Sequence, residues 1–107
     1  MASGILGTAD LLATTVTDVY TVPLDTLTST NINICNRNNA SVSIRLALSA
    51  TTGVQDNAEY MEYDTIIEAY GVLERTGIVM QAEKIITMYS DTANVSVVVT
   101  GIEGSTI

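Results

Sequence analysis

The sequence predicts an all-β fold: a single antiparallel β-sandwich of the jelly-roll or immunoglobulin-like kind, with about seven to eight short strands. Sixteen threonines and many valines and isoleucines supply β-branched side chains, which fit a pleated, half-buried surface. Apolar and polar residues alternate in several segments, and this is the period of a strand. No segment has the helical period that the crossovers of a parallel sheet require.

The clearest strand lies in residues 41–48. Its large apolar side chains fall at every second position, and small or charged side chains stand between them. Residues 28–35 alternate in the same way and form a second strand. The asparagine-rich residues 36–39 supply turn chemistry, because asparagine tolerates positive φ and bonds its own backbone. We therefore expect residues 28–48 to form a hairpin.

The remaining strands are shorter and their patterns are less regular. Pro23 should end the strand before it or place that strand on an edge, because proline lacks an N–H donor. Residues 59–66 fit either a strand or one face of a helix, and the shortness of the run favours the strand. The further strands expected on this basis are residues 14–22, 72–76, 84–89 and 95–102.

The chain is expected to comprise an N-terminal arm over residues 1–13 and one sandwich domain over residues 14–107. The arm and the last strand are more apolar than a lone sandwich needs. Either the arm covers its own sheet, or these side chains contact a neighbouring subunit. The candidate interface residues are Ile5, Leu6, Leu11 and Leu12 in the arm, and Val98 and Ile102 in the last strand.

Charge and composition exclude several function classes. Twelve acids against four scattered bases give a net charge of −8, which opposes binding to nucleic acid or to an anionic membrane surface. The chain has no histidine and one cysteine, so a Ser-His-Asp triad, a His- or Cys-rich metal site and an intrachain disulfide are excluded. We expect no catalytic residue, cofactor or resident metal. The N-terminal stretch has neither a signal-peptide nor a transmembrane pattern.

The densest acidic stretch, residues 56–68, most simply forms a solvated surface. Two functional alternatives are calcium binding and a carboxylate pair for glycoside hydrolysis, although no calcium-loop motif is present. Tyr60, Tyr63 and Tyr70 lie close in sequence and allow a sugar-binding alternative.

The order of several short motifs resembles the small all-β virion structural proteins of tailed bacteriophages. The motifs are VYTVP at residues 19–23, NINICNR at 31–37, SIRLA at 43–47, EYMEYD at 59–64 and GVLERTG at 71–77. Together they span roughly residues 4–103. One departure is the turn after Pro23, where Leu24 and Asp25 replace the glycine-containing continuation common in such sequences.

The resemblance implies a non-enzymatic protein of the virion. Its leading form is a capsid decoration, or cement, protein on the particle surface, assembled as a homo-oligomer (a trimer) on the major capsid protein or another virion protein. A tail, neck, baseplate or fibre adaptor or adhesin is the alternative. A calcium-dependent sugar-binding module is the third hypothesis.

Overall fold

A computed structural model describes residues 2–107. It contains eight strands and one short 3-10 turn at Asn57–Glu59. The strands are β1 (Ser3–Leu11), β2 (Thr17–Thr21), β3 (Thr26–Asn36), β4 (Val42–Ser49), β5 (Tyr60–Ile67), β6 (Val72–Met80), β7 (Ile85–Ser90) and β8 (Val95–Ser105).

The strands form two four-stranded antiparallel sheets. Sheet A has the order β1-β8-β3-β6, and sheet B has the order β2-β7-β4-β5. The chain folds back on itself around the loop between β4 and β5, so that β1 pairs with β8, β2 with β7, β3 with β6 and β4 with β5. This is the strand order of a jelly roll. The predicted antiparallel β-sandwich is confirmed.

The core lies between the two sheets and is filled by alternate residues of the strands. The largest buried cluster includes Val95, Val97 and Val99 of β8 in sheet A and Ile44 and Leu46 of β4 in sheet B. The predicted period of two is therefore the period of burial over residues 42–46 of β4 and 95–99 of β8, and it is interrupted at Ala47, which is buried as well.

The expected hairpin over residues 28–48 is wrong, because β3 and β4 belong to different sheets. Asn36, fully buried at the end of β3, holds the chain where it crosses between them. Its Nδ2 donates to three backbone carbonyls, of Ala40, Ile67 and Glu68, at 2.9, 3.1 and 3.0 Å. The asparagine-rich segment thus makes a crossing between layers rather than a turn within one.

The segment expected as an N-terminal arm contains β1, which pairs with β8 along sheet A. The physical reason is burial of apolar surface, because this pairing places Leu11 opposite Val95 with both side chains in the core. Gly7 of β1 lies so close to β2 that a Cβ atom there would stand 2.3 Å from the carbonyl oxygen of Val19. This contact closes one side of the sandwich.

Two other expectations have clear outcomes. Residues 60–67 form a strand, so the strand interpretation of this region is confirmed over the helix. Pro23 follows β2, an edge strand of sheet B, as predicted. In the next turn Asp25 has a φ of 55°, so aspartate occupies a conformation that usually favours glycine.

We call the side of the sandwich formed by the edge strands β5 and β6 the open side, because these two strands do not pair with each other. Both strands carry a bulge. In β5, Tyr63 and Asp64 stand opposite Arg45 alone, and Arg45 Nε donates to Asp64 Oδ1 at 2.6 Å. In β6, Thr76 and Gly77 stand opposite Asn31, whose Oδ1 accepts from the Gly77 N–H at 3.1 Å. Bulges of this kind hinder edge-to-edge pairing with another sheet.

Candidate interaction surface

The chain's own loop, residues 50–59, covers part of the outer face of sheet B, over β2, β4 and β7, while Tyr63 and Ile66 of the edge strand β5 stay exposed. Gln55 Nε2 donates to the backbone carbonyl of Thr87 at 3.2 Å and to its hydroxyl at 3.1 Å. Asp18 accepts from the Gly53 N–H at 2.9 Å and from the Thr52 hydroxyl. Thr87 is fully buried as a result, although its side chain points away from the core.

Beside this loop, Arg45 is held in a cluster of aromatic and acidic side chains. Its guanidinium carbon lies 4.4 Å from the ring centroid of Tyr63 and 5.0 Å from that of Tyr89. Tyr60 meets Tyr63 edge-on, with ring centroids 4.8 Å apart. Arg45 therefore bonds to Asp64 and packs against two aromatic rings, and these contacts hold the bulge of β5 in place.

The outer face of sheet A has no such cover. We call its outward side chains, from β1, β8, β3 and β6, the sheet A face. Ile5 of β1 is 69% exposed and Ile102 of β8 is 67% exposed. Ile5 stands opposite Thr100, and Ile102 stands opposite Ser3 and Ser29, so the two isoleucines are diagonal neighbours. Further exposed apolar side chains on this face are Leu27, Val72 and Val79.

The structure places the six candidate interface residues in different environments, some on the surface and some in or against the core. Ile5, Val98 and Ile102 all lie on the sheet A face, Ile5 and Ile102 as neighbours and Val98 four residues away along β8. Leu12 is exposed, just beyond the end of β1.

Leu6 and Leu11 lie elsewhere. Leu6 packs against the core from its margin. Leu11 is a core residue with 1% of its surface exposed, so it cannot contact a partner in the folded chain, and its assignment to the interface is corrected. It points inward because it pairs with Val95, whose side chain is also in the core.

Three exposed apolar residues of this face, Leu27, Val72 and Val79, were not among the predicted interface residues. A signal for Leu27 was present, because the alternation of β3 places Thr28 and Thr30 inward and therefore Leu27 outward. Val79 depends on the Gly77 bulge, which shifts the pairing of β3 with β6 between Thr30 and Ile32. Periodicity alone cannot locate that shift.

The sheet A face carries little charge. Of its described residues, Glu74 on β6 and Asp10 on β1 are acidic, and Asp10 is paired with Arg37. The Glu74 carboxylate accepts from Asn33 Nδ2 at 3.3 Å. The remaining outward side chains are hydroxyl, amide, thiol or aliphatic groups. In a chain with a net charge of −8, this face is therefore unusually neutral.

A shallow groove of about 520 Å³ crosses the middle of the sheet A face. Its walls are formed by β3, β6 and β8 and include one carboxylate, that of Glu74. The other lining residues are Asn31, Ile32, Asn33, Thr76, Val98 and Thr100. The two amide side chains already bond the chain itself, through Gly77 and Glu74. An apolar side chain can therefore enter the groove without breaking these bonds.

The acidic side chains of residues 56–68 do not gather around one point, because they bond to separate partners. Glu62 pairs with Arg75 and Asp64 pairs with Arg45, while Glu59 accepts the backbone N–H groups of Asp56 and Ala50. These two N–H bonds hold the pKa of Glu59 below its usual value. Within residues 2–107, no three acidic or cysteine side chains are grouped to hold a metal ion.

One carboxylate anchors the start of β1. Glu103 accepts from the Tyr20 hydroxyl at 2.5 Å and from the Ala2 N–H at 3.0 Å, and these bonds hold its pKa below the usual value. Burial, followed by the Glu103 contact, raises the pKa of Tyr20 to about 12. Tyr20 also meets Thr28 at 3.1 Å. The strand that carries Ile5 is therefore fixed to the rest of the sandwich beneath the sheet A face.

Comparison with solved structures finds similarity to two crystal structures of a pentameric capsid protein isolated from metagenomic phage sequences. The sequence identities are 15% and 14%, and the TM-scores are 0.40 and 0.41. Each alignment covers 94% of this chain but only 65% or 62% of the other. No protein-family model and no curated protein matches the chain. In the described part of the chain, no helix is long and apolar enough to cross a membrane.

Proposed function

We propose that the chain is a non-enzymatic structural protein of a phage particle, and that it acts as a capsid decoration protein on the particle surface. It assembles as a homo-oligomer, a trimer, and binds the major capsid protein or another virion protein. Support comes from the motif order that resembles phage virion proteins and from the bare, nearly neutral sheet A face. That face is the single observation that carries the proposal.

The mechanism is burial of apolar surface at many equivalent sites. Each exposed isoleucine or valine that a contact removes from water contributes about 25 cal/mol per Å² of buried area. Sheet B and its loop carry carboxylates, including Asp18, Asp56 and Asp64, which stay in water. Such an acidic outer surface keeps particles soluble and apart. Repeated attachment around a shell adds avidity to contacts that are individually modest.

The test is the number of copies on purified particles, measured by quantitative mass spectrometry. We expect hundreds of copies, in a fixed ratio to the major capsid protein. Ile102→Asp should reduce the copy number strongly, because it places a charge within the proposed contact. Val54→Asp is the matched control, since Val54 is an exposed aliphatic residue in the loop over sheet B.

A few to a few tens of copies would move the protein to the neck, tail, baseplate or fibre. Absence of the protein from particles would overturn the proposal. Equal loss of binding in the Ile102 and Val54 variants would also count against the sheet A face as the attachment surface.

A further inference from the structure

We propose that a small pocket on the open side binds an arginine side chain of a neighbouring virion protein, with its guanidinium on the Glu68 carboxylate. The pocket has a volume of about 260 Å³ and lies where β5 ends and β6 begins. We call it the socket, and its lining residues are Ile66, Ile67, Glu68, Val72 and Leu73. The inference rests on the proposed function only in taking the neighbour to be a virion protein.

The size and chemistry of the socket fit one long side chain with a charged end. Its volume is below the ~300–1,000 Å³ that is usual for small-molecule sites, so a single side chain can occupy it. One lining side chain is a carboxylate and all the others are aliphatic. Arginine buries an aliphatic stem along apolar surface and keeps a cation at its end. It therefore matches both parts of the lining.

Glu68 receives no cation from its own chain. In the part of the chain that the structure describes, the ion pairs use every arginine, and none of them includes Glu68. The remaining base, Lys84, lies beyond the far end of β6, about 25 Å along that strand from Val72. A side-chain cation for Glu68 therefore comes from another protein, and the net charge of −8 favours its approach.

The fold positions Glu68 before any partner binds. Asn36 Nδ2 donates to the backbone oxygen of Glu68 at 3.0 Å, and the Gly71 N–H donates to the same oxygen at 2.9 Å. A Cβ atom at Gly71 would lie 2.9 Å from Cγ of Glu68, so the stem of the glutamate lies directly over the glycine. Because the stem is already held, less side-chain freedom is lost when a cation binds.

Tyr70, on the same turn as Glu68, is exposed at a cost to the backbone. Its φ is 56°, a left-handed conformation that is strained for a large side chain. The residue is 70% exposed, so side-chain contacts within the chain do little to offset that strain. An aromatic ring two residues from a carboxylate offers a guanidinium a second contact. We therefore expect the ring of Tyr70 to lie against the bound arginine.

The chain holds one of its own arginines with the same combination of groups. The Asp64 carboxylate accepts from Arg45 Nε at 2.6 Å, and the guanidinium lies over the ring of Tyr63. Glu68 and Tyr70 repeat the pairing of a carboxylate with a tyrosine. This parallel favours arginine over lysine, because a planar guanidinium gives a carboxylate two parallel donors and also stacks on a ring.

The first experiment titrates the purified full-length chain with N-acetylarginine amide and follows its amide and methyl NMR signals. The signals of Ile66, Glu68 and Val72 should shift and saturate, with an affinity in the millimolar range. N-acetylcitrulline amide has nearly the same shape without the charge and should bind about fivefold more weakly. Nα-acetyllysine amide should also bind more weakly than the arginine compound, because an ammonium does not stack.

Three variants separate the carboxylate from the ring. Glu68→Gln should weaken binding of the arginine compound about fivefold and leave citrulline binding unchanged. Glu83→Gln is the matched control, because it removes the same charge from an exposed turn beyond the far end of β6. Tyr70→Asn should weaken arginine binding and yet raise the midpoint of urea unfolding, because asparagine tolerates the left-handed conformation.

On particles, Glu68→Gln should lower the copy number relative to Glu83→Gln. Equal binding of the arginine and citrulline compounds, unchanged arginine binding in Glu68→Gln, or an unchanged copy number would each overturn the inference. A chain that binds arginine through Glu68 but is absent from particles would overturn the proposed function and leave the ligand of the socket standing. A chain that is abundant on particles but does not bind arginine would do the reverse.

Discussion

Arg75 of β6 and Glu62 of β5 form an ion pair between the two sheets, with Nε 2.5 Å from Oε2. Glu62 is largely buried, with 13% of its side chain exposed. Burial raises the pKa of Glu62, but the bonds from Arg75 and from the Thr65 hydroxyl outweigh it, so the net shift is downward. The pair therefore spans the open side of the sandwich, where β5 and β6 do not pair with each other.

The first prediction concerns this bridge. Arg75→Ala should lower the free energy of unfolding by about 1–3 kcal/mol, because a mostly buried carboxylate is left without its partner. Arg37→Ala removes an ion pair whose two side chains are both exposed, and should cost no more than about 1 kcal/mol. Urea unfolding at neutral pH measures both. A loss in Arg37→Ala as large as that in Arg75→Ala would contradict a special role for the bridge.

The second prediction concerns the crossing between sheets. Asn36→Ala should destabilise the chain by about 2–4 kcal/mol, because three buried or half-buried carbonyls lose their donor. Asn39→Ala is the control, since Asn39 is exposed in the same segment. Thermal unfolding should separate the two variants by several degrees. Similar midpoints would mean that other contacts hold the crossing.

The third prediction concerns the close packing of β8 on β3. A Cβ atom at Gly101 would lie 2.1 Å from the backbone oxygen of Ser29, so Gly101→Ala must displace a backbone and should cost about 1–3 kcal/mol. In the same strand, a Cβ atom at Gly104 would lie 3.9 Å from the nearest atom, the Leu27 oxygen. Gly104→Ala should therefore be nearly neutral. Denaturant unfolding of the two variants checks the difference, and equal stabilities would contradict the register of β8.

The fourth prediction concerns alkaline pH. The pKa of Tyr20 is raised to about 12 in the folded chain from 10.0. Its contribution to stability is thus complete below pH 10 and is lost as the pH rises towards 12, because the unfolded chain releases the proton first. Stability should fall more between about pH 8 and 11 in the unmodified chain than in Tyr20→Phe. Equal falls in urea titrations would show that Tyr20 is not perturbed.

The sequence carried enough local information to predict the layer type and most strands. The alternation in β3, β8 and residues 42–46 of β4 predicts which side chains are buried, whereas at the end of β4 Ala47 is buried and Leu48 is only half-buried. The pairing of the strands could not be predicted from local sequence patterns, because Leu11 and Val95 are neighbours in the sheet although 84 residues separate them in the chain. The hairpin predicted at the asparagine-rich segment was wrong for the same reason, because turn chemistry does not reveal which sheet the chain enters next.

The candidate surface was predictable in part. Ile5 and Ile102 stood out because the chain has more apolar residues than one core needs, and both are exposed. Leu11 has the same composition signal but lies inward, since its register with β8 decides its face. The cover over sheet B could not be foreseen, because it depends on Gln55 reaching Thr87 across the sheet.

Hydroxyl-radical footprinting of the assembled protein on particles tests the central claim most directly. It compares the oxidation of exposed aliphatic side chains in the assembly with that in a dissociated, folded sample. We predict strong protection of Ile5, Val79 and Ile102, with Val54 and Met61 oxidised equally in both samples. Unprotected Ile5 and Ile102 together with protected Val54 would contradict the claim that sheet A is the face through which this protein assembles.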